Sequence, residues 1–178
     1  MPQFNNVMIV TEETAGEGSP LLFPKFSSCT GVVAVLPNTL VGAHFTMDIW
    51  AGDQPAKHTQ KTLDRLIAKI NGRQIDRLVI VGFNQNHNPR KLANALGVAP
   101  AACDAYDIGR KNIAELTVIV TFIGQGVRPQ VDYKRQSKVD YKEYPRQINS
   151  MEDLRQGAPG DATTGKLHSL RKHFVALG

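Results

Sequence analysis

Two cysteines, one tryptophan and no long hydrophobic run set the outer limits for this 178-residue chain. Cys29 and Cys103 are too few for a disulfide framework, and no CxxC or other zinc-ligand spacing surrounds them, so reduced thiols and no metal are expected. No stretch approaches the roughly 18 apolar residues that cross a bilayer, so no membrane insertion is expected. The opening MPQFNNVMIVTEETAGEG combines neither a basic start nor an apolar core. A cleavable secretory signal is therefore not expected, which leaves a cytoplasmic location or export as an effector without one. The net charge is +5, yet no RNA-binding signature, zinc finger or block of consecutive basic residues accompanies it. Nucleic acid is not expected as a partner; the balance reads as a solvated surface or one that meets an acidic protein.

What is present is an ordinary globular composition, 42% hydrophobic and 21% charged, long enough to bury a core as a single domain, residues 1–178. Residues 7–10 (VMIV) form a short apolar run, and the polar, glycine-bearing stretch 11–20 reads as a loop. Residues 31–36 and 40–45 are rich in valine and bracket Pro37-Asn38, which suit the two central positions of a tight turn, so this segment is expected to be a hairpin. Leu63, Leu66, Ile67 and Ile70 recur at helical spacing, with Thr59 as cap and Gly72 as stop. Residues 77–83 (RLVIVGF) are apolar on both faces, as in a central strand. Asn88 and Pro89 open a second helix through Leu92 and Leu96 to Gly97, and residues 115–123 (ELTVIVTFI) form another buried strand.

Beyond Gly124 the pattern changes. VDYK occurs at 131 and again at 139, too short to be a repeat architecture, and residues 131–144 read as a polar arm or loop. Leu167, Leu170, Phe174 and Leu177 predict a last amphipathic helix. The fold class expected is α/β: a sandwich-like β-sheet core (1–123) carrying the hairpin and flanking helices, then a less regular basic C-terminal extension (124–178).

The hairpin brings chemistry together. A turn centred on Pro37-Asn38 pairs residues whose numbers sum to 75, so Gly31 faces His44 and Cys29 faces Thr46. Side chains alternate along a strand, which puts Cys29, Gly31, Gly42 and His44 on one face, the thiol and imidazole as diagonal neighbours on the order of 7 Å apart at Cβ. An odd-length turn would separate them. The two glycines clear space for a substrate side chain. An imidazole beside a thiol can take its proton and hold the thiolate, and amides around Cys29 can form an oxyanion hole. Ser27, Ser28, Thr30 and Thr46 are polar candidates for support. The plainer alternative is an inert buried thiol beside a strand histidine, since cysteine is among the most buried residue types. Cys103 in PAACDAY has no such company and reads as structural. His87 reads as a solvated loop residue, His58 as part of a helix entrance, and His168 and His173 as the polar side of the last helix.

The order SSCTGVVAVLP, LVGAHFTM, helix, RLVIVGF, helix and DIGRKN resembles the CheD family of chemoreceptor glutamine deamidases over about residues 5 to 123. The catalytic core of cytotoxic necrotizing factor and related deamidase toxins shares the Cys-His arrangement. The resemblance implies Cys29 as nucleophile and His44 as base. Two positions depart from the family: Ser27 stands where a glycine is usual, and Phe23 where a threonine supports the histidine, a role that passes to a backbone carbonyl. The implied function is deamidation of a glutamine in a partner protein, without cofactor, the partner being a chemoreceptor or a host regulatory protein such as a small GTPase. The alternatives are a binding module that grips an acidic partner with its basic surface, or another cysteine hydrolase or transglutaminase.

Overall fold

The computed structural model describes residues 7–26, 28–47, 50–84, 86–108, 116–136 and 163–177. Thirteen elements run along these: β1 (Met8–Ile9), β2 (Ala15–Glu17), β3 (Leu21–Phe26), β4 (Thr30–Val35), β5 (Leu40–Phe45), α1 (Lys57–Ile70), β6 (Arg77–Gly82), α2 (Pro89–Ala95), β7 (Cys103–Asp107), β8 (Leu116–Thr121), β9 (Gln130–Gln136), β10 (Thr163–Ser169) and β11 (Phe174–Ala176). They build two mixed sheets, one of five strands in the order β1-β3-β8-β9-β10 and one of six in the order β11-β7-β6-β4-β5-β2.

The layering follows from which side of each strand is apolar. Val33, Val35, Leu40, Val79 and Val81 project from the six-stranded sheet onto Leu21, Phe23, Phe26, Val118 and Val120 of the other, forming an inter-sheet core. Alternate residues Val32, Ala34, Val41, Leu78 and Ile80 face the other way and bury Leu63, Leu66 and Ile70 of α1 with Leu92 of α2. The six-stranded sheet is thus covered on both faces, which is why residues 77–82 lack alternation; β6 lies between β7 and β4, a central strand as expected. The α/β class with a sandwich-like core and flanking helices is what the chain adopts.

The hairpin has the expected register. Thr30 pairs with Phe45, Gly31 with His44 and Val35 with Leu40, and the Leu36 amide donates to the Thr39 carbonyl across the turn. The Asn88 side chain accepts from the Arg90 amide and Pro89 opens α2, as its cap chemistry dictates. α1 departs from expectation at its start: it begins at Lys57 with Ala56 as N-cap, and Thr59 is buried inside it. Its end is set by Asn71, in the left-handed region at φ 53°, whose amide returns to Ile67, followed by Gly72 at φ 69°.

Three segments correct the sequence reading. The stretch 11–20 contains β2, an edge strand on β5. Residues 131–136 are not a polar arm but most of β9, paired to β8 and β10; the second VDYK lies outside the described residues. The terminal helix is absent: β10 is followed by a short 3-10 turn (Arg171–His173) and then β11, which pairs with β7. Leu170 enters the inter-sheet core and Leu177 the helix-side core, so their spacing reflects a corner between two sheets rather than one helical face. His168 and His173 accordingly flank the Tyr133 ring, at centroid distances of 5.3 and 6.3 Å. Among the described residues no helix is long and apolar enough to cross a membrane.

Candidate active site

His44 is held by backbone from three sides. Its amide donates to the Thr14 carbonyl and its carbonyl accepts from the Glu13 amide, fixing β5 against the segment that becomes β2. Its Nδ1 lies 3.0 Å from the Val10 carbonyl oxygen. A carbonyl only accepts, so Nδ1 carries the proton and Nε2 keeps its lone pair. Val10 is itself fixed, because its amide donates to Leu22 of β3 while its carbonyl serves His44. One residue thereby ties the five-stranded sheet to the imidazole of the six-stranded one. The backbone carbonyl expected in place of the missing threonine is present, and it belongs to Val10.

Nε2 is buried and, among the described residues, has no hydrogen-bond partner. The ring is 0% exposed. Burial holds its pKa down at about 4, against a smaller upward pull from the Val10 hydrogen bond. At neutral pH the imidazole is therefore neutral, the form a general base needs.

Cys29, one residue ahead of β4, is a thiol and 4% exposed, and it belongs to the same inter-sheet core as Phe23 and Phe26. Those two rings bracket His44 edge-on, with centroids 6.0 and 4.8 Å from the imidazole. Both face inward because β3 carries a bulge: Phe23 pairs with Val118 and Phe26 with Leu116, so two residues, Pro24 and Lys25, oppose one on β8.

The access role expected for Gly31 and Gly42 is not what their surroundings provide. A β-carbon on Gly31 would lie 3.1 Å from the tip of Phe26, and one on Gly42 would lie 2.7 Å from Leu21 and 2.9 Å from Phe23. The glycines do clear space above the sheet, but the facing strand fills it with side chains of its own. Thr30 lies on the opposite face, next to Val32 and Ala34 above the helices, and so cannot support the imidazole. The Thr46 hydroxyl donates to Glu13 at 3.4 Å instead. Ser27 lies outside the described residues. The Ser28 carbonyl accepts from the Asn86 side chain at 2.9 Å, which anchors the approach to Cys29 on the loop after β6.

That loop also overturns the reading of His87 as solvated. The ring is fully buried; Nε2 donates to the Thr46 carbonyl at 2.6 Å and Nδ1 accepts from the Trp50 indole at 3.4 Å. A histidine between a strand and a helix cap looks like loop in sequence; nothing local announces that Phe45 and Trp50 will close over it. Val10, Phe26 and Asn86 are the residues around Cys29 and His44 that the sequence left unnoticed, whereas His87 was noticed but misplaced. His58 does sit in the first turn of α1, 3.1 Å from Glu13. Cys103 is buried on β7, and its thiol donates to the Ala99 carbonyl at 3.4 Å. Burial, and then the charge of Asp104, push its pKa up. Among the described residues no cluster of three or more histidine, cysteine or acidic side chains is arranged to hold a metal ion. Of DIGRKN, Asp107 ends β7, Ile108 follows it and the rest lies outside the described residues.

The chain matches no protein-family model and no curated protein.

Proposed function

We propose that this protein is a thiol-dependent amidohydrolase that converts a glutamine side chain of a partner protein to glutamate, with Cys29 as nucleophile and His44 as base. The observation that carries the reading is the clamp on His44: Nδ1–H is committed to the Val10 carbonyl, and Nε2 is presented unprotonated on the sheet face that the thiol shares. An orienting acceptor on one ring nitrogen and a bare lone pair on the other is the arrangement a nucleophile–base pair needs.

In the proposed reaction His44 Nε2 takes the Cys29 thiol proton as sulfur attacks the carboxamide carbon. The tetrahedral intermediate collapses by breaking the C–N bond, and the proton on Nε2 leaves with the nitrogen as ammonia. His44 then takes a proton from water, whose oxygen attacks the thioester. The C–S bond breaks, glutamate is released and the proton returns to sulfur. Because Phe26 packs against His44 and its tip fills the space above Gly31, a substrate side chain reaches the imidazole only when that ring moves. The CheD-like order of motifs supports the same chemistry, with a chemoreceptor or a small GTPase as the substrate it suggests.

The test is mass spectrometry of such proteins after incubation with wild type, Cys29→Ala or Cys29→Ser. Wild type should convert glutamine to glutamate with stoichiometric ammonia, and both variants should release none. Turnover that survives either substitution rules out the mechanism. The closure of the site favours a second reading, a binding module with an inert thiol. Alkylation separates the two: a catalytic Cys29 reacts faster than Cys103 and with a lower pH midpoint, whereas equal, slow labelling of both favours binding.

A further inference from the structure

The register of the six-stranded sheet aligns Phe174, Tyr106, Val81, Gly31 and His44 in one row across β11, β7, β6, β4 and β5. With strands about 4.8 Å apart, Tyr106 lies roughly 14 Å along that row from His44. At this end a cleft of about 450 Å³ opens, lined by residues of β7, β9, β10 and β11 and the segments beside them, among them Tyr106, Arg128, Arg171 and Phe174. The Tyr106 and Phe174 rings meet edge-on at 5.7 Å, and Phe174 is 40% exposed.

Among the described residues the charges around these rings do not balance. Asp104, buried on β7, accepts from Arg77 at 3.0 Å and faces the Arg128 Nε at 3.7 Å, so one carboxylate serves two guanidinium groups. The Arg128 guanidinium also lies 5.7 Å from the centre of the Phe174 ring. Its terminal nitrogens and the Arg171 side chain have no acidic partner among the described residues. Among the described residues the cleft therefore presents two under-compensated cations beside an aromatic surface, with Asp104 holding one of them in place from behind.

We propose that this cleft binds an acidic stretch of polypeptide, its carboxylates on Arg128 and Arg171 and its aliphatic stems against Tyr106 and Phe174. Guanidinium forks match carboxylates, and a fork already positioned by Asp104 loses less freedom on binding. A single phosphate is the poorer fit. Phosphate cradles draw on successive backbone N–H groups, whereas here the Arg171 amide already donates to the Ser169 hydroxyl at 3.2 Å and no glycine lines the cleft. The site requires neither Cys29 nor His44, so it stands whether or not the chain is a deamidase.

The full chain, isotope-labelled, is titrated with hexaglutamate and followed by amide resonances. The expected result is saturable shifts centred on Tyr106, Arg128, Arg171 and Phe174, weakened by added salt. Arg171→Gln leaves the Asp104 contacts intact and should weaken binding about tenfold. The Arg128→Gln/Arg171→Gln double variant should abolish it at an unchanged thermal midpoint. Shifts that do not saturate, that centre elsewhere, or that Arg171→Gln leaves at wild-type affinity overturn the proposal. So does displacement of the peptide by an equal concentration of inorganic phosphate, which would mark a single-anion site.

Discussion

A β-carbon at Gly82 would sit 2.5 Å from the Thr30 hydroxyl oxygen and 2.6 Å from the Cys29 carbonyl oxygen. Two of its three nearest atoms are backbone, the Cys29 carbonyl oxygen and the Thr30 α-carbon, so neither side can yield cheaply. At Gly31 the obstacle is a ring tip at 3.1 Å, and at Gly42 a leucine methyl and a second ring tip. Overpacking against side chains costs about 1 to 3 kcal/mol. Gly31→Ala should fall in that range, and Gly82→Ala should exceed it because β4 and β6 must separate. Urea unfolding at constant slope reads both, and Gly82→Ala as mild as Gly31→Ala would show that the strands can part locally. At the same scale the sequence marked Cys29 and His44 as candidates but gave no sign of Val10. A carbonyl acceptor has no residue signature, since every residue has one, and its selection depends on which strand end passes the imidazole.

Among the elements, the hairpin was legible and β3 was not, for physical reasons. Pro37-Asn38 fixes an even turn, and a period of two then determines every pairing from Thr30 to Phe45. In LLFPKF the proline argues against a strand, because it cannot donate to a ladder; the bulge at Pro24-Lys25 is what admits it. β7 hid for a different reason, as CDAYD alternates weakly and its buried Asp104 is tolerated only with Arg77 beside it. The C-terminal spacing that suggested a helix belongs to a chain that turns a corner between sheets. The bulge also has a functional consequence. It aims Phe26 at Gly31 and His44, so this ring, and not open space, lies above them. Phe26→Leu, which keeps the position apolar, should raise the alkylation rate of Cys29 several-fold while Cys103 labels at its former rate. An unchanged Cys29 rate would place the barrier elsewhere, and parallel acceleration of both thiols would report general loosening of the fold.

For the molecule as a whole, two sheets closing on His44 make folding itself depend on pH. In the unfolded chain a histidine takes up its proton near pH 6.5, whereas in the folded chain His44 does so only at about 4. Between those values the unfolded state binds the extra proton, so stability is complete above about pH 6.5 and falls as pH drops toward 4. The loss contributed by His44 between pH 7 and 5 is roughly 2 kcal/mol. Glu17, whose pKa is lowered chiefly by its hydrogen bond to Arg73, also loses stability on acidification, but at and below the ordinary carboxylate range. The other four histidines are common to wild type and His44→Gln, so their contribution cancels in the difference. Glutamine can still donate to the Val10 carbonyl, which keeps the clamp while removing the titration. Denaturant unfolding at pH 7 and 5 should therefore show a steeper acid loss for wild type than for His44→Gln. The sign of that difference also reports the resting charge of the pair. A thiolate–imidazolium pair would raise the folded pKa of His44 above 6.5, and wild type would then gain on the variant as pH falls through neutrality. An acid loss confined to wild type means that thiol and imidazole rest neutral in the closed core.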